Sequence, residues 1–274
     1  MNRIRIAIIG AGNIGTAIAN GLVKSGRFVA EDITLTRRRT HLLEGMKGEG
    51  FTVEGDNRKA VRGSEVVIVA VEPQQVDGVI KEIAPELKPG SHTIISVVTG
   101  VNTRQIARQV GEGVAIVRAM PNTAIAVRES MTCLASDRAD GSAIDVAKAI
   151  FDTVGKTVVI DEEEMIAATA LGACGIAFFL RAIRAASQGG IEIGFRSQDA
   201  LAIAAQTARG AATLLLATGN HPEYEIDRVT TPRGCTIAGL NQMEHEGFSS
   251  AMIKGITVSA DRASKLYTSS RGDD

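Results

Sequence analysis

Tryptophan is absent from this chain of 274 residues, and aromatic residues make up only 3% of it. The 30 lysines and arginines are balanced by 31 aspartates and glutamates, so the formal net charge is −1. A nucleic-acid-binding protein needs a basic surface and commonly uses aromatic side chains on which bases stack. The composition therefore predicts no nucleic-acid partner.

Cysteine is also scarce, with Cys133, Cys174 and Cys235 scattered along the chain. Three cysteines cannot all pair, and neither they nor the four histidines show metal-ligand spacing. We therefore expect no metal site and a reduced, cytoplasmic protein. No uninterrupted apolar run reaches the roughly 18 residues that would span a bilayer, so we also expect no membrane partner.

Short β-branched runs alternate with helical stretches in the first 160 residues. Such runs, bounded by glycine, proline or charged residues, are typical of buried strands in a mostly parallel sheet. The alternation predicts an α/β domain of the doubly wound, Rossmann type over residues 1–160. The seven expected strands are Ile4–Ile9, Ile33–Thr36, Val66–Val71, Thr93–Val97, Val114–Val117, Met131–Ala135 and Thr157–Ile160.

Residues 161–274 lack strand patterns and predict an all-helical second domain. Helices are expected at Gln198–Ala217, capped by Ser197 and ended by Gly219, and from Ser249 to about Tyr267. Apolar residues spread around much of the first of these helices, which indicates burial on several sides. We therefore expect a second copy of the chain to cover this domain in a homodimer.

A glycine motif directly follows the first expected strand. Gly10-Ala11-Gly12-Asn13-Ile14-Gly15 matches the dinucleotide-binding fingerprint between a strand and a helix, which is its required context. In that fingerprint Gly10 permits the tight turn, Gly12 admits a diphosphate, and Gly15 lets the helix pack on the strand. The diphosphate would bind at the positive N-terminus of the helix.

The end of the second expected strand indicates which nicotinamide cofactor binds. An NAD site places a carboxylate there for the ribose 2′-hydroxyl, whereas this chain has Thr36-Arg37-Arg38-Arg39. Guanidinium groups pair with a 2′-phosphate, so the sequence favours NADP(H). The alternative is a solvated run of charges at the end of a strand.

Several blocks of sequence occur together in one known family. They are Ile8–Ile18, Val69–Gln74, Arg118–Thr123, Val229–Leu240 and Gly247–Ala251. Through them the chain resembles pyrroline-5-carboxylate reductases along nearly its whole length. The resemblance implies NADPH-dependent reduction of the cyclic imine 1-pyrroline-5-carboxylate to proline. It also implies a Rossmann domain, a helical C-terminal dimerisation domain and, in many members, a ring of dimers.

The resemblance implies roles for individual residues. Thr236 would be the catalytic residue that contacts the imine nitrogen, and Arg233, Gly234 and Cys235 would join it in binding substrate. From the residues alone, the backbone N–H groups of 234–236 at a helix start suit a carboxylate, although Thr236 could equally be a simple N-cap. The further cofactor-binding residues implied are Asn57, Val71, Pro73, Gln74, Met120, Pro121 and Asn122.

Some positions depart from the family pattern. The segment Gly172–Phe178 lacks the usual hydroxyls, proline and phenol, Glu72 replaces a lysine, and Arg233 replaces a glycine. These changes leave open another imine substrate, or a relative that binds NADP(H) without catalysis. A related β-hydroxyacid dehydrogenase is a further alternative, but that family uses a lysine acid in the first long C-terminal helix. No lysine lies between Lys156 and Lys254.

Overall fold

The structure is a computed structural model that describes residues 4–136 and 141–266. Eight strands are present in these ranges. They are β1 (Ile6–Ile9), β2 (Ile33–Thr36), β3 (Thr52–Glu54), β4 (Val66–Val69), β5 (Thr93–Ser96), β6 (Ala115–Met120), β7 (Ser130–Ala135) and β8 (Gly155–Val159). They form one sheet in the order β3-β2-β1-β4-β5-β6-β7-β8.

Strand β1 lies where the strand order reverses. It pairs in parallel with β2 on one side, Ile6 beside Ile33, and with β4 on the other, Ile6 beside Val66. Among the described strands, only the β6–β7 pair is antiparallel, with Arg118 opposite Ala135. The doubly wound, mostly parallel sheet expected from the sequence is therefore confirmed. In such sheets, ligands bind at the carboxyl ends of the strands next to the reversal.

The sequence prediction missed β3, a strand of three residues at the edge of the sheet. None of its residues is fully buried, so it lacks the apolar run that marks the central strands. Strand β4 ends at Val69 rather than at residue 71, and β6 extends three residues beyond the expected end, to Met120. Both differences fall at the carboxyl ends of strands.

Apolar side chains are buried on both faces of the sheet. Ile6 and Ile8 face one layer together with Leu22 and Phe151, and all four are inaccessible to solvent. Ala7 and Ile9 face the opposite layer. Burying each large aliphatic side chain contributes roughly 1.5–3 kcal/mol. This two-sided core holds the carboxyl ends of the central strands in fixed positions.

Helices alternate with the strands along the chain and follow the last strand. They are α1 (Asn13–Lys24), α2 (Glu44–Gly48), α3 (Asn57–Arg62), α4 (Val76–Ile83), α5 (Thr103–Val110), α6 (Ser142–Phe151), α7 (Met165–Ala168), α8 (Gly175–Glu192), α9 (Ser197–Thr218), α10 (Pro222–Arg228), α11 (Cys235–His245) and α12 (Phe248–Lys265). In the described part of the chain no strand follows β8, which confirms the helical C-terminal half.

Of the two predicted ends of α9, the C-terminal end is confirmed and the N-terminal cap is wrong. Gly219 ends the helix in the left-handed conformation (φ 66°), and its N–H donates to Leu215 O at 2.9 Å. Ser197 is not the N-cap, because the helix begins one residue earlier than expected and Arg196 takes that position without a side-chain bond. The last helix begins at Phe248, and its expected end at Tyr267 lies outside the described residues.

The chain divides into two compact units. Among the described residues, one unit contains the sheet, continues to Cys174 and includes residues 259–266, and the other is Gly175–Val258. The boundary at residue 160 expected from the sequence stays a prediction.

Helices α8 and α9 carry many exposed apolar side chains. Examples that are 49–85% exposed are Phe179, Leu180, Leu201, Ile203 and Leu216. The stretches Glu162–Glu192 and Ser197–Thr218 are long and apolar enough to cross a membrane by length and composition alone. A large apolar surface on a single chain marks a binding surface, for a protein or a membrane.

Candidate functional site

The glycine loop ties together the carboxyl ends of three strands. Gly10 has φ +94°, and a Cβ there would lie 2.6 Å from Val71 Cγ1 and 2.9 Å from Ala70 O, just beyond β4. Ala11 N–H donates to Thr36 O, at the end of β2, at 2.8 Å. Only glycine combines this conformation with so close an approach. The loop is therefore held against the sheet at the strand-order reversal.

The next two glycines differ in what surrounds them. A Cβ at Gly15 would lie 2.7 Å from Gly10 O, so this position allows α1 to pack onto the loop. A Cβ at Gly12 would meet nothing within 4 Å. Gly12 is also the N-cap of α1 and has no side-chain capping bond. The first N–H groups of the helix, on Asn13, Ile14 and Gly15, thus have no capping side chain, and the open space beside Gly12 suits a diphosphate.

The arginines after β2 lie beside this loop. The half-buried Arg37 donates from its guanidinium to Ala11 O at 3.4 Å, while Arg38 is exposed. Thr36 is 1% exposed, and its hydroxyl accepts from Gly10 N–H at 3.3 Å. Thr36 therefore positions the loop, and the two arginines supply positive charge next to it.

The remaining cofactor residues implied by the resemblance occupy different settings. Val71 packs against Gly10, and Pro73 and Gln74 lie in the short turn that precedes α4. Asn57, the first residue of α3, donates from its side-chain amide to Glu82 Oε2 at 3.0 Å. Val71 therefore lies at the glycine loop, whereas the side-chain amide of Asn57 is already hydrogen-bonded to Glu82.

The Met120–Asn122 segment leaves the sheet at the end of β6. Met120 and Pro121 are buried. Asn122 caps the following short helix through Ala124 N–H, which donates to its Oδ1 at 3.0 Å. Its amide nitrogen donates to Gly172 O at 3.3 Å. Gly172 lies in a π-helical turn (Thr169–Cys174), a feature that is frequent at functional sites. Asn122 thus fixes this segment to the turn where the chain departs from the family pattern.

A tight turn precedes α11 in the second unit. Gly234 N–H donates to Thr231 O at 2.9 Å, and a Cβ at Gly234 would collide with the Thr231 hydroxyl. Pro232 and Arg233 form the corner. The exposed Arg233 has φ 60°, where a glycine would be free of strain. The arginine that replaces the family glycine therefore sits in a conformation that disfavours it.

The start of α11 corrects two expectations from the sequence. Gly234 N–H is not available to a ligand, because the turn uses it. Thr236 is not the N-cap, since Gly234 takes that position and Thr236 is the second helical residue. The first helical N–H groups belong to Cys235, Thr236 and Ile237, and the helix has no side-chain cap. The N–H groups that the helix leaves without an internal partner are therefore those of 235–237, one residue later than expected.

The cysteines have contrasting surroundings. Cys235 is exposed and Cys174 is half-buried. Burial, and secondarily the nearby Glu164 carboxylate, raises the pKa of the Cys133 thiol in β7. No group of three His, Cys, Asp or Glu side chains placed to hold a metal ion occurs among the described residues.

One polar cluster was missed by the sequence reasoning. Arg118, in β6, is 5% exposed and pairs with Glu162 at 2.9 Å. The only signal was a charged residue within an otherwise apolar strand. Arg118 also begins one of the sequence blocks shared with the family, Arg118–Thr123.

Comparisons with known proteins relate both parts of the chain to described families. Residues 162–266 match the family model described as pyrroline-5-carboxylate reductase dimerisation, and residues 5–100 match the one described as NADP oxidoreductase coenzyme F420-dependent. Pyrroline-5-carboxylate reductase 2 of Dictyostelium discoideum is 47% identical, with 96% of this chain and 93% of that protein covered. The chain belongs to the pyrroline-5-carboxylate reductase family.

Other relatives agree with this family membership. Pyrroline-5-carboxylate reductase 1 of D. discoideum is 54% identical over 96% of the chain, which spans only 50% of that protein. The solved pyrroline-5-carboxylate reductase of Coxiella burnetii shares 29% identity and a TM-score of 0.87, with 97% of this chain and 99% of that chain covered. The family resemblance and the two-part fold expected from the sequence are confirmed.

Proposed function

We propose that this member of the pyrroline-5-carboxylate reductase family reduces 1-pyrroline-5-carboxylate to proline with NADPH, in the last step of proline biosynthesis. The observation that carries the proposal is the 47% identity to a reductase of that name over nearly the full length of both proteins. The absence of lysine between Lys156 and Lys254 argues against β-hydroxyacid chemistry, which would need a lysine acid in that region.

The residues around the glycine loop fit NADP(H). The N–H groups at the start of α1 and the open space at Gly12 suit the diphosphate. Arg37, with Arg38 beyond it, would bind the 2′-phosphate through charge-assisted hydrogen bonds. The residues Thr36, Asn57, Val71, Pro73, Gln74, Met120, Pro121 and Asn122 would line the rest of the cofactor site.

The N-terminus of α11 would hold the substrate carboxylate. Three backbone N–H groups, those of 235–237, lie at the positive end of a helix of 11 residues. They bind an anion without a side-chain cation, and Arg233 on the adjoining turn would add positive charge. Binding at this end leaves the ring of the imine free to be oriented by the half-buried Thr236.

The reaction needs orientation more than acid–base catalysis. NADPH, when bound, would supply a hydride to the imine carbon. The substrate nitrogen needs one proton, which it carries as the iminium or takes from water, and the product is a secondary amine. The hydroxyl of Thr236 would accept a hydrogen bond from the iminium N–H and hold one face of the C=N bond in place. Fixing reactants in this way is a large source of rate enhancement.

The exposed apolar surface of α8 and α9 would be the homodimer interface. The match of residues 162–266 to a dimerisation domain supports an oligomer, and it favours a second copy of the chain over a lipid bilayer as the partner that covers the apolar side chains of these helices. A further ring of dimers and a cytoplasmic location are part of the proposal. Light scattering of the purified protein would report the subunit number, and a monomer would contradict the interface.

Steady-state NADPH oxidation tests the proposed activity. The purified chain is expected to oxidise NADPH with 1-pyrroline-5-carboxylate, and to lose most of its efficiency with 1-pyrroline, which lacks the carboxylate. A separate titration measures NADPH binding. Tight NADPH binding without turnover would identify a non-catalytic relative, and turnover with only other imines would show a changed specificity of the kind that the Gly172–Phe178 departures suggest.

A further inference from the structure

A hydrogen bond between two helices fixes the side-chain amide of Asn57. Its Nδ2 donates to Glu82 Oε2 at 3.0 Å, from the first residue of α3 to the last turn of α4, and both side chains are half-buried. If the amide turned by 180°, its oxygen would face the Glu82 carboxylate instead. A hydrogen bond to a charged group is strong enough to favour the observed orientation at least about tenfold.

This bond leaves the oxygen of the amide free. Among the described residues, no group donates to Asn57 Oδ1. The buried side-chain atoms without a partner in that part of the chain are Thr103 Oγ1, Arg118 Nε and Glu162 Oε2, so Asn57 Oδ1 is not sealed and solvent reaches it. An amide oxygen can only accept hydrogen bonds. Asn57 therefore presents a single accessible acceptor in a fixed orientation.

Asn57 lies at the same edge of the sheet as the glycine loop. Glu54, the last residue of β3, pairs with Thr36, the last residue of β2. Thr36 O accepts from Ala11 N–H of the glycine loop at 2.8 Å. Asn57 follows Glu54 by three residues. The adjoining carboxyl ends of β2 and β3 therefore bring it to the edge where the cofactor would bind.

The chain after β2 connects Asn57 with the adenosine half of the cofactor. In the proposed site Arg37 binds the 2′-phosphate, which places the ribose at the end of β2. A Cβ at Gly55 would lie 3.7 Å from Thr40 Cγ2, so the loop that leads to Asn57 lies against the chain beyond Arg37. The adenine is further from the diphosphate than the ribose is, and it would extend towards this loop.

We propose that Glu82 is a positioning residue that makes Asn57 select the amino group of adenine. Phosphates and the ring nitrogens of adenine only accept hydrogen bonds, whereas the amino group donates. An acceptor placed beyond the ribose therefore suits the amino group. Glu82 would touch no part of the cofactor and would act through Asn57. This inference rests on the proposed cofactor site and adds a reason for the choice of base.

Fluorescence titration with NADPH and with its hypoxanthine analogue tests the proposal. In the analogue an oxygen replaces the adenine amino group, and the nicotinamide that reports binding is unchanged. We expect the wild-type protein to bind NADPH at least about tenfold more tightly, because the analogue loses a hydrogen bond and brings two acceptors together. Equal affinity for the two cofactors would overturn the proposal.

The Glu82→Ala variant releases the amide of Asn57. Since the amide can then turn to suit either base, the preference for NADPH is expected to fall below about threefold. A purely structural role of Glu82 would weaken both cofactors by the same factor. An unchanged preference in Glu82→Ala would therefore overturn the positioning role.

The Glu86→Ala variant is the matched control. Glu86 Oε1 accepts from Arg62 Nη1 at 2.8 Å, which is a second bond between α3 and the end of the α4 region. Its removal loosens the same contact between helices and leaves the bond to Asn57 in place. The preference for NADPH should therefore persist. Equal loss of preference in Glu86→Ala would show that helix packing sets it, and would refute the proposal.

A double variant tests whether Glu82 acts through Asn57. Asn57→Ala should remove the preference by itself, so adding Glu82→Ala should change the ratio of the two affinities by less than about twofold. A larger further change would give Glu82 its own contact with the base and contradict the positioning role.

Turnover separates this inference from the proposed function. A wild-type protein that fails to reduce 1-pyrroline-5-carboxylate, yet prefers NADPH and loses that preference in Glu82→Ala, would refute the proposed function and leave this inference standing. An active protein without the preference would do the reverse.

Discussion

Replacing Arg37 by alanine is expected to change which nicotinamide cofactor binds better. The guanidinium is half-buried and is held near the glycine loop by Ala11 O. Hydrogen bonds to a charged group contribute about 1.5–3 kcal/mol each. Loss of one such bond to the 2′-phosphate would weaken NADPH about 10- to 100-fold. NADH has no 2′-phosphate, so its affinity should change by less than about twofold.

Arg38→Ala is the matched comparison. Arg38 is exposed, and a surface ion pair contributes at most about 1 kcal/mol. Its loss should therefore weaken NADPH less than about fivefold, and the double variant should resemble Arg37→Ala. The measurement is fluorescence titration of each variant with NADPH and NADH at low and high salt. An unchanged NADPH-to-NADH ratio in Arg37→Ala would refute the assignment, as would equal loss of both cofactors.

Three further changes test other parts of the structure. Thr236→Ala should lower kcat and leave the NADPH Kd unchanged, and Thr236→Ser, which keeps a hydroxyl, should recover kcat. A parallel loss of NADPH affinity in Thr236→Ala would indicate a structural role for the residue. Arg233→Gly should raise the free energy of unfolding by about 1 kcal/mol, because φ 60° costs a non-glycine residue about that much, whereas Arg233→Ala should give no such gain in denaturant unfolding. A hydrogen bond from the Asn220 side-chain amide, and secondarily the positive charge of Arg228, hold the pKa of Glu225 below its ordinary value of 4.5. A lowered folded-state pKa stabilises the protein above the unfolded value, and this contribution is lost as the pH falls through the folded one. The Glu225→Gln variant should therefore have a lower free energy of unfolding than wild type at pH 7, and this difference should shrink below about pH 4.5. A difference that stays constant with pH would contradict a stabilising role of the ionised Glu225 carboxylate.

Much of the sheet could be predicted because its strands are continuous apolar runs. The hydrophobic pattern and the length of a segment suffice to predict a strand that is buried on both faces, as β1 and β4 are. The edge strand β3 carries no such pattern, since its burial is partial and its pairing to β2 depends on the rest of the sheet. Local sequence does not contain that information.

Parts of the candidate site could be predicted where the backbone leaves no room for a side chain, so that only glycine fits. Gly10 and Gly15 could be assigned because a side chain at either position would collide with the loop or its neighbours. The free N–H groups at the start of α11 lie one residue later in the chain than the sequence predicted. The reason is that Gly234 N–H is used in a hydrogen bond that depends on how the preceding turn closes. The Arg118–Glu162 pair joins residues 44 positions apart, so only the folded chain brings it together.

A crystal structure of the protein with NADP and proline tests the central claim most directly. The account predicts that the proline carboxylate accepts hydrogen bonds from the amides of Cys235, Thr236 and Ile237, with the Thr236 hydroxyl on the ring nitrogen. It also predicts the cofactor diphosphate at the start of α1. A carboxylate bound away from the first turn of α11, in crystals that hold both ligands, would contradict it.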